Sequence, residues 1–169
     1  MNEIRKQLTL FVEKSNENIE KIRAEFNPIQ YNLISCHITL CREDEIEPIE
    51  KIIKRIKAIH LKKPISIKLN RAERCAGGKG VLLPATENNI EFRELRETIL
   101  GTKLIKEQFP HVTLMHPRNS TCNEKIFTEI KKQELPTELF FHKISLIEQR
   151  NGGKWNVIEE YTIVNNNIS

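Results

Sequence analysis

The sequence repeats itself, and a repeat constrains the fold more than any composition figure does. His-x-Thr-Leu begins at His37 and again at His111, 74 residues on (37 to 111). A Gly-Gly-Lys triplet recurs with almost the same offset, from Gly77 to Gly152, 75 residues (77 to 152). Two independent signals that agree within one residue point to a duplicated unit, and such units bury their apolar faces against each other.

The textures between the landmarks also match. Upstream of the first motif, QLTLFVEK then SNENIEKIRAEF reads as strand then helix, and GVLLPATE then NNIEFRELRETIL repeats that order. Ser15 stands where an N-cap for the first of these helices is expected. Downstream, Ile46, Ile49, Ile52, Ile53, Ile56 and Ile59 fall at the three-and-four spacing of one helical face. ISIKLNR then alternates Ile65, Ile67 and Leu69 against polar residues, and HKISLIEQ does the same with Ile144 and Leu146. Each glycine pair reads as a hairpin turn. The expected fold is therefore α+β: duplicated β-α-β-α-β lobes with pseudo two-fold symmetry, two antiparallel sheets lining a central cleft and helices outside. One domain spanning 1–169 is expected, with repeats at roughly 5–84 and 79–164.

Composition narrows the class. Apolar residues make up 38% of the chain, enough for a core. No run approaches the ~18 apolar residues that cross a bilayer, and the amino terminus lacks an apolar signal core. Cys36, Cys41, Cys75 and Cys122 form no C-x-x-C pair, the usage of a reducing compartment. A cytoplasmic monomer that engages no membrane is the expectation. The net charge of +4 tolerates a polyanion without defining one.

Residues two apart on a strand share a face. His37 and Thr39 therefore share one face and Cys36, Ile38 and Leu40 the other, and His111 and Thr113 are paired in the same way. Two such strands side by side offer two imidazoles and two hydroxyls, which suits the opening of a phosphodiester. One neutral imidazole takes a proton from water, one imidazolium protonates the leaving oxygen, and the hydroxyls hold the non-bridging oxygens. No metal or cofactor is required by that scheme. A metal site drawn from Cys36, His37, Cys41, His111 and His116 is the chemical rival, and strand parity opposes it because Cys36 and His37 point oppositely. The same parity places His116 away from the motif face.

With both motifs in register, the chain resembles the two-histidine (2H) phosphoesterase superfamily, similar to 2'-5' RNA ligase and cyclic phosphodiesterase-like proteins, across nearly its whole length. The resemblance implies His37 and His111 as the catalytic acid-base pair and Thr39 and Thr113 as phosphate ligands. It implies metal-independent hydrolysis of 2',3'-cyclic or 2'-5' phosphodiesters in nucleotides or RNA ends. A reversible 2'-5' RNA ligase, or a catalytically silent RNA-binding or regulatory module of the same fold, is the alternative. Arg42 and Arg118, just past the motif strands, and Tyr31 are candidate substrate contacts. Phe109, Trp155 and Tyr161 are further aromatics that could stack on a base. Lys79 and Lys154 follow the glycine pairs, where hairpin geometry alone explains the glycines.

Overall fold

The computed structural model describes residues 3–86 and 88–165. The first half contains β1 (Ile4–Phe11), α1 (Glu17–Phe26), α2 (Pro28–Leu33), β2 (His37–Cys41), α3 (Ile49–Lys57), β3 (Ile65–Lys68) and β4 (Glu73–Cys75). The second contains β5 (Gly80–Pro84), α4 (Ile90–Leu100), β6 (His111–Met115), α5 (Glu124–Lys132), β7 (Glu138–Phe141) and β8 (Lys143–Arg150), and β9 (Trp155–Thr162) closes the chain.

Local chemistry accounts for most boundaries. Within α3, Ile52 and Ile56 are buried, while Ile46 and Ile59 are buried beyond its ends. The isoleucine stripe is thus longer than the helix it predicts. At α5 the Asn123 side chain accepts from Ile126 N at 2.9 Å, a side-chain cap on one of the orphan first-turn amides. Ser15 does not cap α1: Lys14–Asn16 forms a 3-10 turn, Asn16 takes the N-cap position, and no side chain caps the helix. Both glycine pairs make hairpin turns, with Gly77 at φ +67° and Gly152 at φ +70°, backbone angles that favour glycine.

The strands pair antiparallel in a four-stranded sheet, β2-β1-β8-β9, and a three-stranded sheet, β4-β5-β6. The stretches PISIKLNRAER and LFFHKISLIEQR, each with the texture of one strand, are each divided into two. Their first parts form a small third sheet, β3-β7, with Ile65 opposite Phe141 and Lys68 opposite Glu138. Their second parts, β4 and β8, join the larger sheets. The first strand of the chain is thereby paired to β8, far along the sequence, so the four-stranded sheet cannot be completed by local pairing alone, whereas β4-β5-β6 joins consecutive strands.

Both motif strands carry the same irregularity. Leu8 faces Cys41 while Thr9 faces Thr39, leaving Leu40 as an extra residue; Val81 faces Met115 while Leu82 faces Thr113, leaving Leu114 extra. These bulges turn two successive side chains into the core, and Leu40, Cys41, Leu114 and Met115 are all fully buried. The helices cross over: α1 packs against β6, and α4 against β2 and β3.

Candidate functional site

The motif strands β2 and β6 lie against each other. Each has the same burial pattern, with Ile38 and Leu40, or Val112 and Leu114, in the core, and His37 and Thr39, or His111 and Thr113, half-buried on the opposite face. The structure therefore brings all four motif side chains to the face that the core leaves free.

Both imidazoles are held the same way. His37 Nδ1 lies 2.9 Å from Ser35 O, and His111 Nδ1 lies 3.0 Å from Phe109 O. A carbonyl only accepts, so each Nδ1 carries the hydrogen and donates, which leaves Nε2 as the atom that exchanges protons.

The surroundings then distinguish the two rings. His37 is edge-on to Phe11, with centroids 6.1 Å apart, whereas Pro84 occupies the matching place opposite His111. Burial pushes the His37 pKa down from 6.5 to about 4, against the Ser35 hydrogen bond, and the positive charges of Arg23, His111 and His116 press the same way.

Arg23 is the residue that sequence reasoning missed. It lies on the buried face of α1 beside Ile19 and Ile22, where an arginine is unexpected. Its guanidinium donates to Ile34 O at 2.7 Å and to Glu20 Oε1 at 2.8 Å, while Glu20 Oε1 also accepts from Cys36 N. Bonds at Ile34 and Cys36 thus bracket Ser35, whose carbonyl orients His37. Arg23 Nε is a buried nitrogen with no hydrogen-bond partner among the described residues, and the Arg23 charge lowers the His37 pKa.

Arg96 holds the corresponding place in α4, 73 residues on (23 to 96). It donates to Leu40 O at 2.9 Å and Lys106 O at 2.8 Å, and it pairs with Glu45. Gln108 Nε2 donates to Thr39 O at 2.6 Å, tying the segment before His111 to the other motif strand. The available signal was positional: a cation recurring on an apolar helical face at the repeat offset.

His116 corrects the parity argument. The bulge at Leu114 consumes one residue of alternation, so His116 is half-buried on the His111 side and its charge acts on His37. Its Nδ1 accepts from Arg118 N at 3.2 Å, the reverse of the two motif histidines, and burial and Arg118 hold its pKa below the ordinary value. Arg42 stands in the matching position after β2, exposed, with its backbone N–H bonded to Glu45 at 2.9 Å. Arg118 is exposed in the 3-10 turn Pro117–Asn119. Tyr31 is exposed on α2, which leads into β2.

The rival ligand set does not converge. Cys36 and Cys41 are buried in the core, where burial raises both thiols to about 12, and no group of three or more metal-ligating side chains gathers among the described residues. A cavity of about 600 Å³ near Ile59, Leu61, Ile65 and Leu95 lies between α3 and α4 and contains none of the motif side chains. No helix among the described residues is long and apolar enough to cross a membrane.

The family model described as the 2'-5' RNA ligase superfamily matches residues 11–153. Among solved structures, E. coli LigT in apo form superposes with a TM-score of 0.61 at 14% identity, over 95% of this chain and 98% of that one. E. coli LigT complexed with 3'-AMP gives 0.60 at 13%, over 95% and 98%, and a phosphoesterase gives 0.59 at 14%, over 96% and 100%. No curated protein sequence matches. The mixed α+β fold of antiparallel sheets is the fold these solved structures share with the chain. The chain belongs to the 2'-5' RNA ligase superfamily.

Proposed function

We propose that the protein is a phosphodiesterase that opens 2',3'-cyclic or 2'-5' phosphodiester bonds in nucleotides or RNA ends by paired-histidine acid-base catalysis. The observation that carries this reading is the matched tautomer of the two motif histidines, each with Nδ1 bonded to a carbonyl two residues back. Such a pair commits both Nε2 atoms to proton exchange. The E. coli LigT structures that hold 3'-AMP, ATP and phosphate lend the reading a nucleotide ligand class.

His37, whose pKa is lowered to about 4, is neutral near pH 7 and acts as base in hydrolysis. Its Nε2 takes a proton from water as the water oxygen bonds to phosphorus. The bond from phosphorus to the ribose oxygen breaks, and His111 Nε2–H gives that oxygen its proton. Thr39 and Thr113 donate hydrogen bonds to the non-bridging oxygens, where charge accumulates. Proton exchange with solvent resets both rings. In ligation the same groups exchange roles. Arg42, Arg118 and Tyr31 are the substrate contacts proposed at the margin of the site. The two imidazoles supply both proton transfers, so the scheme requires no metal and no cofactor.

The test is turnover of 2',3'-cyclic nucleotides, an RNA oligomer with a cyclic-phosphate end and a 2'-5' dinucleotide, with chelator present. His37→Ala and His111→Ala are each expected to lower turnover by roughly 10² to 10⁴-fold, and Thr39→Ala or Thr113→Ala by less. Wild-type turnover in both histidine variants would sink the assignment, and no turnover by the unaltered protein on any substrate would favour the silent binding module.

A further inference from the structure

We propose that the face of the four-stranded sheet that bears His37 and Thr39 carries a nucleobase-stacking subsite, built from Arg5 laid over Trp155, which takes a base upstream of the phosphodiester held at the motif histidines. The inference rests on the phosphodiesterase reading and extends it: the preferred substrate is an oligonucleotide, not a mononucleotide.

Register places the pair. Phe11 is opposite His37 and Thr9 opposite Thr39, so Thr9, Gln7 and Arg5 continue the motif face along β1. Arg5 is opposite Gln149 on β8, and Gln149 is opposite Trp155 on β9. Arg5 and Trp155 therefore share the face of His37 and Thr39. From Thr39, one strand spacing and four residues along β1 give about 14 Å to Arg5, and three spacings give about 19 Å to Trp155. An extended single strand covers such a distance in a few nucleotides.

The guanidinium of Arg5 sits 5.7 Å from the centroid of the Trp155 ring. Glu43 grips it from the side, with Nε 3.1 and 3.2 Å from the carboxylate oxygens, and its NH1 lies 3.5 Å from Gln149 Oε1. Gln149 is itself buried and donates to Gly153 O at 2.8 Å, which fixes the floor. Glu43 offsets the charge of Arg5, so what Arg5 offers is a flat, oriented plane backed by an indole. A base has a π-face whatever its identity and stacks on such a plane with little sequence preference.

Between the pair and the motif, Thr9, Ser145 and Ile147 are at most 1% exposed and form a closed floor over which a strand would run. Gln7 donates to Thr9 Oγ1 at 2.9 Å, and Ser145 lies opposite Thr9 on β8. Ile147, between Gln7 and Val157, is fully buried yet stands apart from the main core. The stack exists on one lobe only, because the repeat offsets place Gly78 and Gly80 where Arg5 and Trp155 would recur.

Trp155 is the sole tryptophan of the chain, so its fluorescence reports this subsite directly. The His37→Ala/His111→Ala protein, which leaves ligand intact, is titrated with three probes: an RNA oligomer ending in a 2',3'-cyclic phosphate, the matching mononucleotide, and an abasic oligomer of equal length. The oligomer is expected to perturb Trp155 and bind roughly 10-fold more tightly than the mononucleotide, an advantage that Arg5→Gln removes. Equal affinity for oligomer and mononucleotide, or the same gain with the abasic strand, would overturn the subsite. Binding is read in a protein that does not turn over, so failure of the phosphodiesterase reading would appear separately, as absent turnover in the unaltered protein.

Discussion

On the proposed assignment, the acid limb of turnover belongs to His37. Its pKa is lowered from 6.5 to about 4, so the free protein holds this ring neutral down to that region. A base works only when unprotonated, so kcat/KM is expected to persist through pH 6.5 and to fall as pH drops through about 4. The charges acting on His37 are Arg23 from α1, His111 on β6 and His116 just beyond it, and Glu20 is the carboxylate paired to Arg23. Arg23→Met deletes a positive charge and leaves Glu20 behind, so the limb is expected to move to higher pH. An unmoved limb in the pH profile of kcat/KM would remove Arg23 from the site's electrostatics. Parity in the sequence was enough to place His37, Thr39, His111 and Thr113, because a regular strand alternates up to its first bulge. It failed at His116 because an extra residue inside a strand leaves no mark in the hydrophobic pattern: Leu-Cys and Leu-Met read equally well as alternation ending in a loop.

At the scale of elements, the buried pair of Arg96 and Glu45 joins α4 to the turn after β2, and the side chains are 2% and 7% exposed. Arg96→Met leaves the Glu45 carboxylate largely desolvated and frees the carbonyls of Leu40 and Lys106. A loss of about 3–5 kcal/mol in denaturant unfolding is expected. A loss below about 1 kcal/mol, the range of an exposed pair, would show that the contact is not a structural tie. Four of the helices were legible because their apolar stripes have a clear period; α2, six residues opening on Pro28, was not, since it buries no residue and carries no stripe. The divided strands were not, since Ile65–Lys68 and Glu73–Cys75 each satisfy a strand pattern and only long-range partners separate them.

On the scale of the whole molecule, the crossing of chain segments matters more than any single contact. β1 pairs with β8, α1 packs against β6, and α4 packs against β2. Each half is therefore completed by parts of the other, and partial unfolding would expose the core of both. Thermal unfolding followed by far-ultraviolet circular dichroism and by Trp155 fluorescence is expected to give one coincident transition. Two separated transitions would mean that the halves unfold independently.

The equivalence of the two motif histidines has a further side. A device with two interchangeable halves has no inherent sense of direction, and a strand could enter it from either end with equal effect. Orientation must then be written where the halves disagree: Arg42 against His116 after the motifs, Phe11 against Pro84 beside them, Glu20 in α1 against Arg93 in α4, and a tryptophan-backed arginine on one sheet only. On the proposed chemistry, the likeness of the two motifs would supply the proton transfers, and the differences around them would supply a compass.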